Sequence, residues 1–406
     1  MENKIEPLVK GFKYRIYPNK STREYLEKTF GCSRKVYNYF LDKSSKSYEA
    51  WENDKSLPKP SVNYNALSAE LTLLKRNPDF EYLQEPPAPC LQQSLKHLAI
   101  AFNRLFSKSV KSGYPKFKSK HGYQSASLTE GAYWIRNNKF IISKDLTPIK
   151  VKWGKRSLPT TPKTAVISKS PSGKYYVSFT CEFIPQPTAG TKITGIDLGL
   201  TDFIYCSDGT SVPNPKYYLK ADKRLKRLQR SLSRKKKGSK NRNKARIRVA
   251  LQHEKLANMR TDFLHKLSSN LVNENQVIVV EDLAVANMVK NHRLARSISN
   301  ACWSKFKSML EYKVIQSRHS VLMIADRFFP STQNCSCCGL SPTKKIVMGI
   351  DKWVCEYCGA AHHRDHNASK NLENLAYTNM KYLDEYPDKR IIRINAGGVA
   401  FRPLPA

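Results

Sequence analysis

The chain has 406 residues, with 70 Lys or Arg against 33 Asp or Glu, a formal charge of +37. That length is ample for several domains with real cores, and so large a cationic excess speaks against a merely solvated surface; it calls for a polyanion, most simply nucleic acid met along many phosphates. No run of about 18 apolar residues suggests a membrane span. The opening M-E-N-K-I-E-P offers no apolar leader, and the scatter of Cys32, Cys90, Cys181, Cys206 and Cys302 fits a reducing cytosol.

In chain order, Phe12 to Tyr17 alternates with period two and predicts a half-buried strand, ended by Pro18-Asn19. Ser21 and Thr22 offer caps for a helix through about Leu41. Helices follow at Leu67 to Leu74 and Leu91 to Phe106, separated by Pro-rich loops at 56–61 and 85–89. Gly113 to Lys120 interleaves cations, Lys116 and Lys118 among them, with aromatics, as a surface for phosphates and bases would. From about Ser125 to Phe183 short strands take over, with turn signals at Asn137-Asn138 and Pro171-Ser172-Gly173. A small β-barrel over 1–20 and 121–190 is expected, with a helical segment over 21–120 inserted.

Ile193 to Leu200 is an apolar strand carrying one acid, Asp197. An aspartate there needs a metal, phosphate or cation to offset desolvation. Alone this motif is weak: an Asp-x-Gly strand also opens nucleotide-binding kinases of the actin-like fold, and a structural ion pair would serve. Lys216 to Arg248 holds sixteen Lys or Arg and one acid, Asp222. Leu225, Leu228 and Leu232 give it a helical stripe, and Arg234-Lys235-Lys236-Lys237 precedes the turn into a second long helix. Two ordered helices with a cationic outer surface follow from this pattern. Val277 to Val280 ends in Glu281, where a parallel strand would leave its sheet and where α/β folds bind ligands. A helix over 301–317 and a strand over 321–325 come next.

Cys335, Cys338, Cys355 and Cys358 form two Cys-x-x-Cys pairs sixteen residues apart, each followed by glycine. Four thiolates at this spacing fit one closed tetrahedral zinc site, a structural staple over 332–360; a disulfide pair is the alternative. Asp365 then opens a last helix, and beyond 386 the chain is expected to be a disordered tail. The α/β part therefore spans 191–331 and 361–385. An RNase H-like sheet would gather Asp197, Glu281 and Asp365. Three such carboxylates suit two Mg²⁺ ions, with Mn²⁺ as a substitute, about 3.5–4 Å apart at a phosphodiester.

G-I-D-L-G-L, V-V-E-D-L, the two Cys-x-x-Cys pairs and H-R-D-H-N-A-S, in that order, resemble the TnpB family of transposon-encoded RNA-guided nucleases, relatives of the type V CRISPR effectors. The likeness runs over nearly the whole chain and includes Y-R-I-Y-P-N, L-Q-Q-S-L-K-H-L and G-Y-P-K-F-K. It implies a RuvC-like nuclease domain with Asp197, Glu281 and Asp365 as catalytic metal ligands. It also implies a wedge-like barrel and a helical recognition domain, a guide RNA from the transposon end, and a target DNA duplex, with one chain to one RNA. By position in the matching segments, Tyr64, Gln92 and Thr129 would lie near the DNA. Two positions depart from the family pattern: Asn300 stands where S-I-S-D has its acid, and His363 stands for the usual acid before Arg364-Asp365. A cleavage-inactive RNA-guided binder and an unguided nuclease or transposition accessory are the competing readings.

Overall fold

Tyr14 and Ile16, inward residues of the period-two run, are buried, whereas Arg15 between them lies over the rings of Tyr17 and Tyr176. Their strand, β1 (Leu8–Tyr17), is the first element of a computed structural model that describes residues 6–107, 112–154, 157–185, 190–215, 217–346 and 349–399. Contacts divide the chain into two units, one holding residues up to Ile184 with Lys235–Leu251, the other Pro185–Arg234 with Gln252 onward. Helix α1 (Lys20–Asn53) is capped by Asn19, whose side chain accepts the Thr22 amide at 2.8 Å. It runs twelve residues past Leu41, because Tyr48 in its polar last third stacks on Phe102 and Phe106. The helices α2 (Tyr64–Leu74) and α3 (Ala88–Phe106) complete this layer around Val36, Phe40, Leu71, Leu95 and Leu98.

The strands β2 (Gln124–Thr129), β3 (Tyr133–Arg136), β4 (Lys139–Ile142), β5 (Ile149–Lys152), β6 (Thr164–Lys169) and β7 (Tyr175–Phe183) join β1 in an antiparallel sheet ordered β2-β6-β7-β1-β5-β4-β3. The β3–β4 loop is the two residues Asn137 and Asn138, both at positive φ, as a twisted hairpin requires. The β2 and β3 ends are joined by a short turn, so the sheet is a nearly closed barrel around Phe140, Val177 and Phe179. Leu26 and Phe30 of α1 fill the same core. Barrel and helices thus share one unit.

The second unit is built on β8 (Lys192–Leu198), β9 (Asp202–Cys206), β10 (Ser211–Pro213) and the basic helix α4 (Tyr217–Ser233). They are followed by α5 (Lys240–Glu274), whose first part belongs to the other unit, β11 (Asn275–Glu281), α6 (Val285–Met288), α7 (Ala295–Ala301), α8 (Trp303–Ser317) and β12 (Val321–Ala325). The last elements are the hairpin β13 (Lys352–Val354) and β14 (Ala361–His363), then α9 (Arg364–Thr378), α10 (Met380–Glu385) and β15 (Ile391–Ile394). The sheet order is β10-β9-β8-β11-β12-β15; the first three strands form an antiparallel meander, and β11, β12 and β15 run parallel to β8. This is the RNase H-like arrangement with one added edge strand. Ile278, Val280, Leu322 and Ile324 face the core that includes Phe306 and Leu310 of α8, and Val277, Val279 and Met323 face Leu372 and Leu375 of α9.

The expected disordered tail is corrected over its described part. Ile391–Ile394 pairs with β12, and Ile392 and Ile394 are buried against α9. An alternating I-I-R-I run supplies enough apolar surface to hold an edge strand even between a Pro-Asp loop and a Gly-Gly turn. Residues 400–406 lie outside the described residues. Among the described residues no helix is long and apolar enough to cross a membrane.

Candidate active site and cysteine cluster

Asp197 and Glu281 end adjacent parallel strands. Val280 is level with Ile196, which puts the two acids side by side, and the pleat turns both toward the α9 face. Asp365 lies in the first turn of α9. That helix crosses β8 at Gly195, where a Cβ would overlap the Ser369 carbonyl and the Glu373 amide. Ser369 is one turn after Asp365, so this close crossing sets the height of Asp365 over the strand that carries Asp197.

The other two acids act on Asp197. Burial raises the pKa of Asp197, and the Glu281 and Asp365 carboxylates raise it further, against the opposing pull of Arg364. Burial also raises Glu281, opposed by a hydrogen bond from the Ser331 hydroxyl and by Arg364. Next to Glu281, Asp282 points elsewhere: it is ion-paired with Lys307 and, at 3.6 Å, with Arg327. Among the described residues, the candidate ligands that draw within 4.8 Å of one another are the cysteine-cluster groups, so the three acids form a looser set. Their donors are hard oxygens gathered at a half-buried strand end with one nearby guanidinium, a composition that fits Mg²⁺ or Mn²⁺ and suits zinc poorly.

The two departures from the family pattern have visible consequences. Asn300 accepts a hydrogen bond from Arg260 at 2.5 Å, so a neutral oxygen serves where an acid would. His363 stacks on Tyr205, whose strand position is opposite Asp197.

The cysteines come together as the spacing predicts. Cys335, Cys338, Cys355 and Cys358 place their sulfurs within 4.8 Å of one another. Two of these separations are 3.6 Å, Cys335 to Cys358, and 3.7 Å, Cys338 to Cys355. A tetrahedron with Zn–S bonds of about 2.3 Å has edges of roughly 3.8 Å, so the four sulfurs fit one zinc. Each pair sits in the same turn: the Gly339 and Gly359 amides donate back to the Cys335 and Cys355 carbonyls, and both glycines need their positive φ. His362 Nε2 lies 3.0 Å from Cys335 Sγ, a partner that the sequence reading did not identify.

The remaining candidates are scattered over surfaces. Tyr64 opens α2 beneath the Lys96 ammonium, Gln92 is half-buried on α3, and Thr129 ends β2 opposite Thr164. Lys118 is docked over Tyr37 and pinned through its backbone by Asn38, which leaves Lys116 and Phe117 exposed. Arg234 to Lys237 form the turn between α4 and α5. In the first unit, Lys237 and Arg246 line a cavity of about 1240 Å³ with Arg34, Lys120 and Lys169. Sequence reasoning missed Arg34 and Lys169, which lie outside the basic runs of the chain and come to one cavity only in the fold.

Comparison with known proteins adds independent findings. A family described as "Probable transposase" matches residues 172–292, a "Cas12f1-like, TNB domain" matches 303–372, and a "Helix-turn-helix domain" matches 8–53. In this chain that last segment is a strand and one long helix. A Streptomyces pristinaespiralis protein named "Putative RNA-guided DNA endonuclease" is 40% identical over 373 residues, covering 91% of this chain and 89% of its own. "Putative RNA-guided DNA endonuclease InsQ" of Escherichia coli K12 is 28% identical over 381 residues, covering 90% and 91%. The fold also resembles Cas12f1 in a cryo-EM structure of a Cas12f1-sgRNA-target DNA complex, with TM-score 0.55 over 91% of this chain and 99% of that one at 13% identity. With its motifs in family order and a relative this similar along most of both lengths, the chain belongs to the TnpB family of transposon proteins.

Proposed function

We propose that this chain is an RNA-guided DNA endonuclease that hydrolyses phosphodiester bonds at one RuvC-like site made by Asp197, Glu281 and Asp365. The names of its relatives support the reaction class. The observation that carries the assignment of residues is the meeting of three acids from β8, β11 and α9, distant in the chain, at one strand end. Two Mg²⁺ ions held there would activate the attacking water and stabilise the leaving 3′ oxygen. Burial and the two neighbouring carboxylates raise the pKa of Asp197, a mutual repulsion that bound cations would offset. Arg364, whose charge acts on both Asp197 and Glu281, would offer a guanidinium to a phosphate oxygen bound at the site. The four cysteines would hold one structural zinc.

The basic cavity of the first unit, with Lys116, Lys118 and the Arg234–Lys237 turn, offers phosphate contacts to a guide RNA. Base pairing by that guide carries most of the sequence specificity, while Tyr64, Gln92 and Thr129 remain the candidates for reading a short motif on the DNA duplex.

The test is cleavage of a matched DNA duplex by protein purified with its RNA, in Mg²⁺. Cutting that needs the RNA and disappears in Asp197→Ala, with target binding retained, is the expected result. RNA-independent cutting would reject the guide, binding without cutting in the wild type would make the chain an inactive binder, and full activity in Asp197→Ala would reject the site.

A further inference from the structure

Ser331 is a buried residue that precedes the first cysteine by four positions, and its hydroxyl donates to Glu281 Oε1 across a sequence distance of 50 residues. The serine is itself held. Asn371 of α9 donates to the Ser331 carbonyl at 2.7 Å and to the Asn334 carbonyl at 2.6 Å. One turn earlier, Asn367 donates to the Asn334 carbonyl at 2.7 Å and accepts the Ser336 amide at 2.8 Å. Both asparagines are buried, so an amide left unpaired there would be costly and the bonds hold the segment firmly. Helix α9 therefore carries Asp365 in its first turn and, on another face, grips residues 331–336 as they enter the cysteine cluster.

We propose that Ser331 is a positioning residue for the cation site: anchored by Asn371, its hydroxyl fixes one oxygen of Glu281 and aims the other toward Asp197 and Asp365. A carboxylate at a strand end has several accessible rotamers, and a single hydrogen bond from a buried, tethered residue selects among them. The entry to the zinc insert thereby becomes part of the nuclease site. This inference rests on the reading of Glu281 as a divalent-cation ligand.

The test titrates the RNA-free full-length chain with Mn²⁺ by electron paramagnetic resonance, in wild type, Ser331→Ala, Ser331→Thr and Glu281→Gln, with zinc content measured on each. Glu281→Gln should lose the tightest class of Mn²⁺ binding. Ser331→Ala should weaken that class by about 10–100-fold with one zinc retained, and Ser331→Thr, which keeps the hydroxyl, should restore it. The half-saturating Mg²⁺ concentration for cleavage by the RNA-loaded protein should rise in Ser331→Ala with target affinity unchanged. Wild-type Mn²⁺ affinity in Ser331→Ala, alongside loss in Glu281→Gln, overturns the role of Ser331 and leaves the site reading intact. Wild-type Mn²⁺ affinity in Glu281→Gln overturns both.

Discussion

Gly195 and Ser369 stand backbone to backbone, the missing side chain of one making room for the carbonyl of the other. The contact fixes α9 against β8, and with it Asp365 against Asp197. The obstacles to a Cβ at 195 are main-chain atoms of a helix, which cannot swing aside as a side-chain end could. Gly195→Ala should therefore destabilise the second unit by roughly 3 kcal/mol or more, beyond the usual cost of overpacking. Thermal melting should show the lost stability, and cleavage should fall below detection even at temperatures where the variant remains folded. A wild-type melt with wild-type cleavage would show that α9 is not held in this way.

Removal of zinc is the second prediction. Asn367 holds the Ser336 amide in the first cysteine turn, but most of the stability of so small an insert, with its three-residue strands β13 and β14, comes from the ligand bonds. A chelator strong enough to strip zinc should release one equivalent and abolish hydrogen-exchange protection over residues 335–360. Unchanged protection there, with the metal gone, would contradict the staple role.

Much of the site was legible locally. Asp197 and Glu281 each end an apolar strand, and the cysteine spacing needs no tertiary information. What could not be read depends on distant partners. Residues 42–53 are polar and gave no helical stripe, yet α1 continues through them because Tyr48 finds Phe102 and Phe106. Ile391–Ile394 lies among loop-forming residues and becomes a strand only because β12 offers a free edge. Ser331 has no local signal, since its meaning comes from Glu281 and Asn371.

The basic cavity gives a third prediction, on binding rather than chemistry. Lys120 and Lys237 are exposed cations that line it. Replacing both with Ala should lower RNA affinity and reduce the slope of log affinity against log salt by up to roughly 1.4 to 1.8, since each phosphate contact contributes about 0.7–0.9. The cleavage rate of complexes that still form should be unchanged. An unaltered salt slope would place the RNA elsewhere.

The most direct test of the central claim is an experimental map of the RNA- and DNA-bound protein containing Mn²⁺, read for metal density at the strand ends. The account predicts metal coordinated by carboxylate oxygens of all three residues, Asp197, Glu281 and Asp365, at about 2.0–2.2 Å as for small hard cations. Metal held without one of the three, or no metal between them in a complex that cuts DNA, would contradict it.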